Sequence, residues 1–145
     1  MIWDAGRNGQ PSCLAELSGH QLTVIKIVFS PDSNRLLTLG RDRIAIVWSL
    51  VDGKWSQEEI IGKGKSKVQV WPLNSLLDKN GHTRLIWNGC WQSDSTFYTV
   101  GRDKQLIKWS REKETGWTKS GSILFKEAVT AVDSIGNKII VGTER

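Results

Sequence analysis

The stretch TLGRDRIAIVW, residues 38–48, returns sixty-one residues later as TVGRDKQLIKW, residues 99–109. Each time Asp stands four residues after Thr, and Trp six residues after that Asp. A chain that repeats such a mixed polar and apolar phrase is built from like structural units, each burying its apolar face against the next. The match extends upstream. GHQLTVIKIVFSPDSNRLLTLGRDRIAIVWS begins at Gly19 and GHTRLIWNGCWQSDSTFYTVGRDKQLIKWS at Gly81, so that His20, Thr38, Asp42 and Trp48 align with His82, Thr99, Asp103 and Trp109. The second copy is one residue shorter between strands, which makes the His spacing sixty-two where the others are sixty-one.

Between these fixed points the apolar residues fall in short runs of strand length, not at helical spacing. Val24–Phe29, Leu36–Leu39, Ile44–Trp48, Val68–Trp71, Leu85–Trp91, Phe97–Val100, Leu106–Trp109, Ile123–Phe125, Val129–Val132 and Ile139–Val141 are rich in β-branched or aromatic residues. Turn-forming stretches such as SPDSN, LGRDR, VDGK, QSDS and SIGN separate them. This predicts an all-β chain of antiparallel strands, with one helical turn expected at Leu73–Leu77. Eight Trp among 145 residues fit a fold that packs many faces.

A Gly-His turn, then a Thr, an Asp in a turn and a Trp on the next strand resemble the WD-repeat family. The resemblance implies a β-propeller, whose blades are four-stranded sheets around a central channel. Residues 1–17 then read as the end of a preceding blade, with Trp3 in the position of Trp48. Residues 18–80 read as a first full repeat with a basic insertion, 81–126 as a second, and 127–145 as a truncated third. The outer strand of the first repeat is expected at VQVW, residues 68–71, after a basic loop GKGKSK. The third copy has no Gly-His, carries Val141 where Thr is expected and Arg145 where Asp is expected. About three blades cannot close a ring that takes about 4 to 8, so a piece of a longer propeller is expected.

Donor and acceptor chemistry accounts for the repeated polar residues. An indole N–H only donates, a carboxylate only accepts, and a hydroxyl and a neutral imidazole do both. Trp48 to Thr38 to His20 to Asp42 is thus a chain with every link satisfied, as is Trp109 to Thr99 to His82 to Asp103. By the resemblance, this tetrad staples the loop before a blade's first strand to the turn between its second and third. A nucleophilic triad would use the same residue types. Here the hydroxyl lies within a predicted strand, is held by an indole, and occurs twice, which suits a folding staple.

No phosphate loop, paired carboxylates or metal spacing is present, since GKGKS lacks the P-loop pattern. No cofactor and no catalytic residue are expected. Cys13 and Cys90 belong to no ligand spacing and read as two reduced, buried thiols. No apolar run approaches the ~18 to 20 residues of a membrane span, and MIWD does not open a secretory signal. Trp87 and Trp91 are expected to share one strand face, in core packing between blades.

The net charge of +5 and pI near 9.4 permit nucleic acid or an acidic protein as partner. Arg41 and Arg43 bracket Asp42, and Arg102 and Lys104 bracket Asp103, on what should be one rim of neighbouring blades. This rim is either solvated or a surface for phosphate or acidic protein. Lys63, Lys65 and Lys67 offer the same two readings.

Beyond the generic pattern, LTVIKIVFSPDSNRLLTLGRDR, HTRLIWNGCW, GRDKQLIKW and AVTAV, in that order, resemble the second propeller of the Elongator protein 2 family. The resemblance covers essentially residues 14–143. Ile44-Ala45-Ile46, Gly89-Cys90 and the Ser after both later Trp residues depart from that family's usual wording. The resemblance implies a non-catalytic scaffold subunit that supports wobble-uridine modification of transfer RNA. Its partners would be the large scaffold and catalytic Elongator subunits, with transfer RNA as a candidate contact. Its place would be the cytoplasm, with the nucleus as a second compartment. The alternative is a propeller adaptor for another acidic or phosphorylated partner.

Overall fold

In the computed structural model, residues 1–6, 9–62 and 81–144 are described. The predicted helical turn at Leu73–Leu77, the VQVW run, and Lys63, Lys65 and Lys67 lie outside these residues. The described residues form twelve strands and no helix. They are β1 (Ile2–Asp4), β2 (Ser12–Ala15), β3 (Val24–Phe29), β4 (Arg35–Gly40), β5 (Ile44–Val51) and β6 (Lys54–Gly62). There follow β7 (Ile86–Ser93), β8 (Thr96–Gly101), β9 (Gln105–Glu112), β10 (Gly116–Leu124), β11 (Val129–Ile135) and β12 (Lys138–Thr143). Every sheet is an antiparallel meander: β3-β4-β5-β6 and β7-β8-β9-β10 are complete four-stranded blades, and β1-β2 and β11-β12 are two-stranded. This is a partial WD-repeat propeller.

The fourth strand of the first blade is Lys54–Gly62, not VQVW. Asp52 and Gly53 both take positive φ, 50° and 74°, the two-residue turn whose twist matches antiparallel strands. The chain therefore returns at once beside β5. The last strand of the second blade likewise begins at Gly116, well before the apolar run at Ile123.

The middle strands read as continuous apolar runs because both their faces are covered. Leu37, Leu39, Ala45, Val47 and Ile61 of the first blade pack against Ile86, Trp91, Phe97, Ile107, Trp109 and Trp117 of the second. Each such aliphatic side chain contributes roughly 1.5–3 kcal/mol by leaving water. Trp91, Phe97 and Trp117 meet with ring centroids 4.9–5.5 Å apart, and the Trp91 indole N–H donates to the carbonyl of Val28 across the blade boundary, 3.0 Å. Gly89 permits this close approach, because a Cβ there would lie 2.9 Å from the Leu39 side chain.

Two β-bulges recur. Between first and second strands the extra residue is Ile25, Trp87 or Thr130, just inside the first strand. Between third and fourth strands it is Leu14, Glu58 or Ser120, opposite the step that enters Trp3, Trp48 or Trp109. A bulge breaks the alternation of faces. Trp87 and Trp91 therefore do not share a role: Trp91 is buried, while Trp87 is 39% exposed. Cys90 is buried but Cys13 is exposed, which corrects the expectation for that thiol; both are free.

Candidate functional site

Gly40 and Gly101 end the second strands, and the tight turns that follow present Asp42 and Asp103 back toward the preceding loop. In the first blade the Trp48 indole N–H donates to Thr38 Oγ1 at 3.0 Å. The Thr38 hydroxyl lies 2.8 Å from His20 Nε2, and His20 Nδ1 lies 3.0 Å from Asp42. Since the carboxylate can only accept, Nδ1 carries the proton and Nε2 accepts from Thr38. The second blade repeats the set: Trp109 to Thr99 at 2.8 Å, Thr99 to His82 at 2.9 Å and His82 to Asp103 at 2.8 Å. Each Asp also accepts the backbone N–H that follows its histidine, Gln21 at 2.9 Å and Thr83 at 2.8 Å.

These networks are sealed. The His82 and Asp103 side chains are 1% and 3% exposed. Burial pushes the Asp103 carboxyl up, but the hydrogen bonds from His82 and from the N–H groups of Thr83 and Gln105 pull it, on balance, below its usual value. Both histidines of the chain are held between a hydroxyl and a carboxylate, which leaves neither ring nitrogen for a substrate. Gly40 and Gly101, absent from the residues expected at the site, belong to it as well. A Cβ at Gly40 would overlap His20 and Asp42, and one at Gly101 would lie 2.6 Å from the carbonyl of Leu85. Their presence in register in both copies was the available signal.

The four rim cations divide into two kinds. Arg43 and Lys104 both sit at positive φ, 69° and 67°, a conformation uncommon outside glycine. Arg43 donates to the carbonyl of Thr83 at 3.5 Å, and Lys104 Nζ to that of Lys126 at 2.7 Å. Each thereby ties its turn to the loop that leads into the next blade. Arg41 and Arg102, one position before the Asp, are exposed. Arg102 and Lys104 line a hollow of about 410 Å³ together with Thr83, Arg84, Glu127 and Glu144. Arg84, two residues after His82, is a further cation of this surface, beyond the four expected from the sequence.

The comparisons with known proteins agree with this geometry. The family model described as "WD domain, G-beta repeat" matches residues 11–49. Elongator complex protein 2 of Drosophila melanogaster is 34% identical over 125 residues, 80% of this chain and 14% of the relative. The human protein of that name is 36% identical over 93 residues, 62% of this chain and 10% of the relative. The chain belongs to the WD-repeat family. A crystal structure of RRP9 WD40 repeats superposes with a TM-score of 0.63 at 19% identity, covering 86% of this chain and 34% of that one, which speaks to the fold alone. The chain spans only about 14% or less of the length of these curated relatives.

Between the WD-repeat blades lies a second polar weld, away from the rim. Glu58, the bulge residue of β6, accepts from Arg35 Nε at 2.8 Å within its own blade. It also accepts from Arg111 Nε at 2.6 Å and the Trp117 indole at 3.3 Å in the next. Glu59 accepts the backbone N–H of Trp117 at 2.9 Å. Among the described residues no group of His, Cys, Asp and Glu could hold a metal ion.

Proposed function

We propose that this chain is a non-catalytic scaffold segment of an Elongator assembly, acting in support of wobble-uridine modification of transfer RNA in the cytoplasm, with the nucleus as a second compartment. The carrying observation is the sequence similarity to Elongator complex protein 2 along blades whose histidines and aspartates are committed to staples. Chemistry would then reside in a partner subunit. The test is to tag the protein in its own cells, recover its partners and, in a null strain, measure wobble-uridine side chains in transfer RNA. Recovery of the other Elongator subunits and loss of the modification are expected; unchanged modification in the null strain sinks the reading.

A second reading, an adaptor for an acidic or phosphorylated partner, draws on the exposed Arg41 and on Arg102, which lines one hollow with Arg84. These side chains are not needed by either tetrad. The double variant Arg41→Ala/Arg102→Ala is expected to keep its thermal midpoint while binding transfer RNA or an acidic partner more weakly in the assembly. Each lost phosphate contact would lower the slope of log affinity against log salt by roughly 0.7 to 0.9. Filter binding across a salt series decides between the readings: a loss seen only with an acidic protein favours the adaptor. An unchanged slope with unchanged affinity leaves the rim a solvated one.

A further inference from the structure

The first strands of successive sheets, β3, β7 and β11, pack side by side, and each carries a bulge at the same place, just inside its start. β7 is the end strand of its sheet, and in a propeller the outer edge of the first strand faces the axis. It stands between β3 and β11, so its surroundings do not hinge on either end of the sequence. The bulge residues differ in kind. Ile25 packs against the core, Thr130 is small and polar, and Trp87 is a large ring left 39% exposed. The bulge itself therefore calls for no indole. Nor does the core: Ile86 packs toward the first blade and Cys90 toward β11, while Trp87 joins neither cluster. The buried indoles of Trp48, Trp91, Trp109 and Trp117 each donate their N–H within the protein, whereas that of Trp87 meets no acceptor among the described residues.

Cations stand close to this ring. Ile86 lies opposite Gly101, and the next residue, Arg102, donates its backbone N–H to the Leu85 carbonyl at 2.8 Å. Leu85 precedes Trp87 by two residues, about 7 Å of extended chain. Arg84 comes one residue earlier, and Arg84, Arg102 and Lys104 share the lining of the hollow of about 410 Å³. An open aromatic face and a group of cations are thus separated by about the reach of one nucleotide from base to phosphate.

We infer that Trp87 is a stacking platform for one unpaired base of single-stranded RNA, whose adjoining phosphate Arg84 and Arg102 hold. Every base has a π face, so such stacking tolerates sequence and requires only that the base be free of its pairing partner. A duplex hides its bases and presents a dense double line of phosphates, which Glu127 and Glu144 on the same hollow oppose. An acidic peptide would satisfy the cations and leave the indole face unused. The inference rests on the transfer-RNA contact proposed above and narrows it: the contact is with loop nucleotides, not with paired stems.

The test titrates the full-length protein, by fluorescence anisotropy, onto a short labelled single strand of RNA, the same strand with abasic central sugars, and a hairpin duplex of equal charge. Trp87→Leu, which keeps apolar bulk without the π face, should weaken single-strand binding roughly tenfold, while Trp87→Phe should stay within about threefold of wild type. Because no phosphate contact is lost, Trp87→Leu should leave the salt slope as it was, whereas Arg102→Ala should lower it by roughly 0.7. The abasic strand should bind wild type as weakly as the intact strand binds Trp87→Leu, and this comparison holds whatever a substitution does to folding. The duplex should not distinguish the two proteins. Equal affinity of wild type for the intact and abasic strands overturns the inference. So does single-strand binding that is absent or indifferent to Trp87→Leu, or a polyglutamate peptide that binds more tightly than the RNA and depends on Trp87. Recovery of the other Elongator subunits with binding indifferent to Trp87→Leu sinks the platform alone. Trp87-dependent RNA binding with unchanged wobble modification in the null strain sinks the Elongator reading alone.

Discussion

Asp103→Ala is expected to lower the stability of the chain by about 3–5 kcal/mol, more than any single change on the rim. The carboxylate is 3% exposed and accepts from His82 Nδ1 at 2.8 Å, Thr83 N at 2.8 Å and Gln105 N at 3.3 Å. Removing it leaves a buried imidazole N–H and a backbone N–H without acceptors, at about 1–3 kcal/mol each. Asp42→Ala should cost less, because His20 and Asp42 are 6% and 7% exposed and water can reach them sooner. Urea midpoints of the two variants test both the size and the order. A wild-type midpoint for Asp103→Ala would mean that the tetrad does not hold the blade together, and the case for a staple over a reactive triad would go with it.

How much of this was legible beforehand follows from what each interaction depends on. The tetrads could be read from residue type and spacing because donors and acceptors must match whatever the surrounding packing, and they recur. The strands could be read because β4 and β5 are covered on both faces and show it as unbroken apolar runs. The outer strand of the first blade was misplaced because its residues, WSQEEIIG, are half polar, and an apolar pattern further on competed with them. The Asp52-Gly53 turn decides the matter, because it returns the chain at once beside β5. The exposure of Trp87 is not legible in the sequence, because a bulge cannot be seen in the alternation it interrupts. The division of the rim cations, and Glu58, depend on how one blade docks on the next, which no local pattern encodes.

That last residue carries the second large effect. Glu58→Ala is expected to cost about 2 kcal/mol and to loosen the first blade from the second. The carboxylate is 16% exposed and binds Arg35, which is 21% exposed, and Arg111, which is 39% exposed. The loss should come mainly from stranding Arg35 and the Trp117 indole, because the more exposed Arg111 rehydrates.

The pH dependence tells this weld from simple packing. Burial pushes the Glu58 carboxyl up, yet its hydrogen bonds to Arg35 and Arg111 and their charges bring it, on balance, below its usual 4.5. A depressed carboxyl lends stability that is complete above its unfolded value and is lost as pH falls through the folded one. Glu59 has the opposite sign: burial raises it and the Trp117 N–H only partly offsets this. Its protonated form is the one folding favours, so its contribution weakens as pH rises above 4.5. Wild-type stability should therefore decline through the acid range below 4.5 as Glu58 and Asp103 take up protons. Glu58→Gln, which keeps the shape but not the charge, should start lower near neutral pH and decline less steeply below 4.5. Urea midpoints from neutral pH into that range measure both slopes. Parallel profiles for wild type and Glu58→Gln would show that the arginines hold nothing that depends on the charge of Glu58.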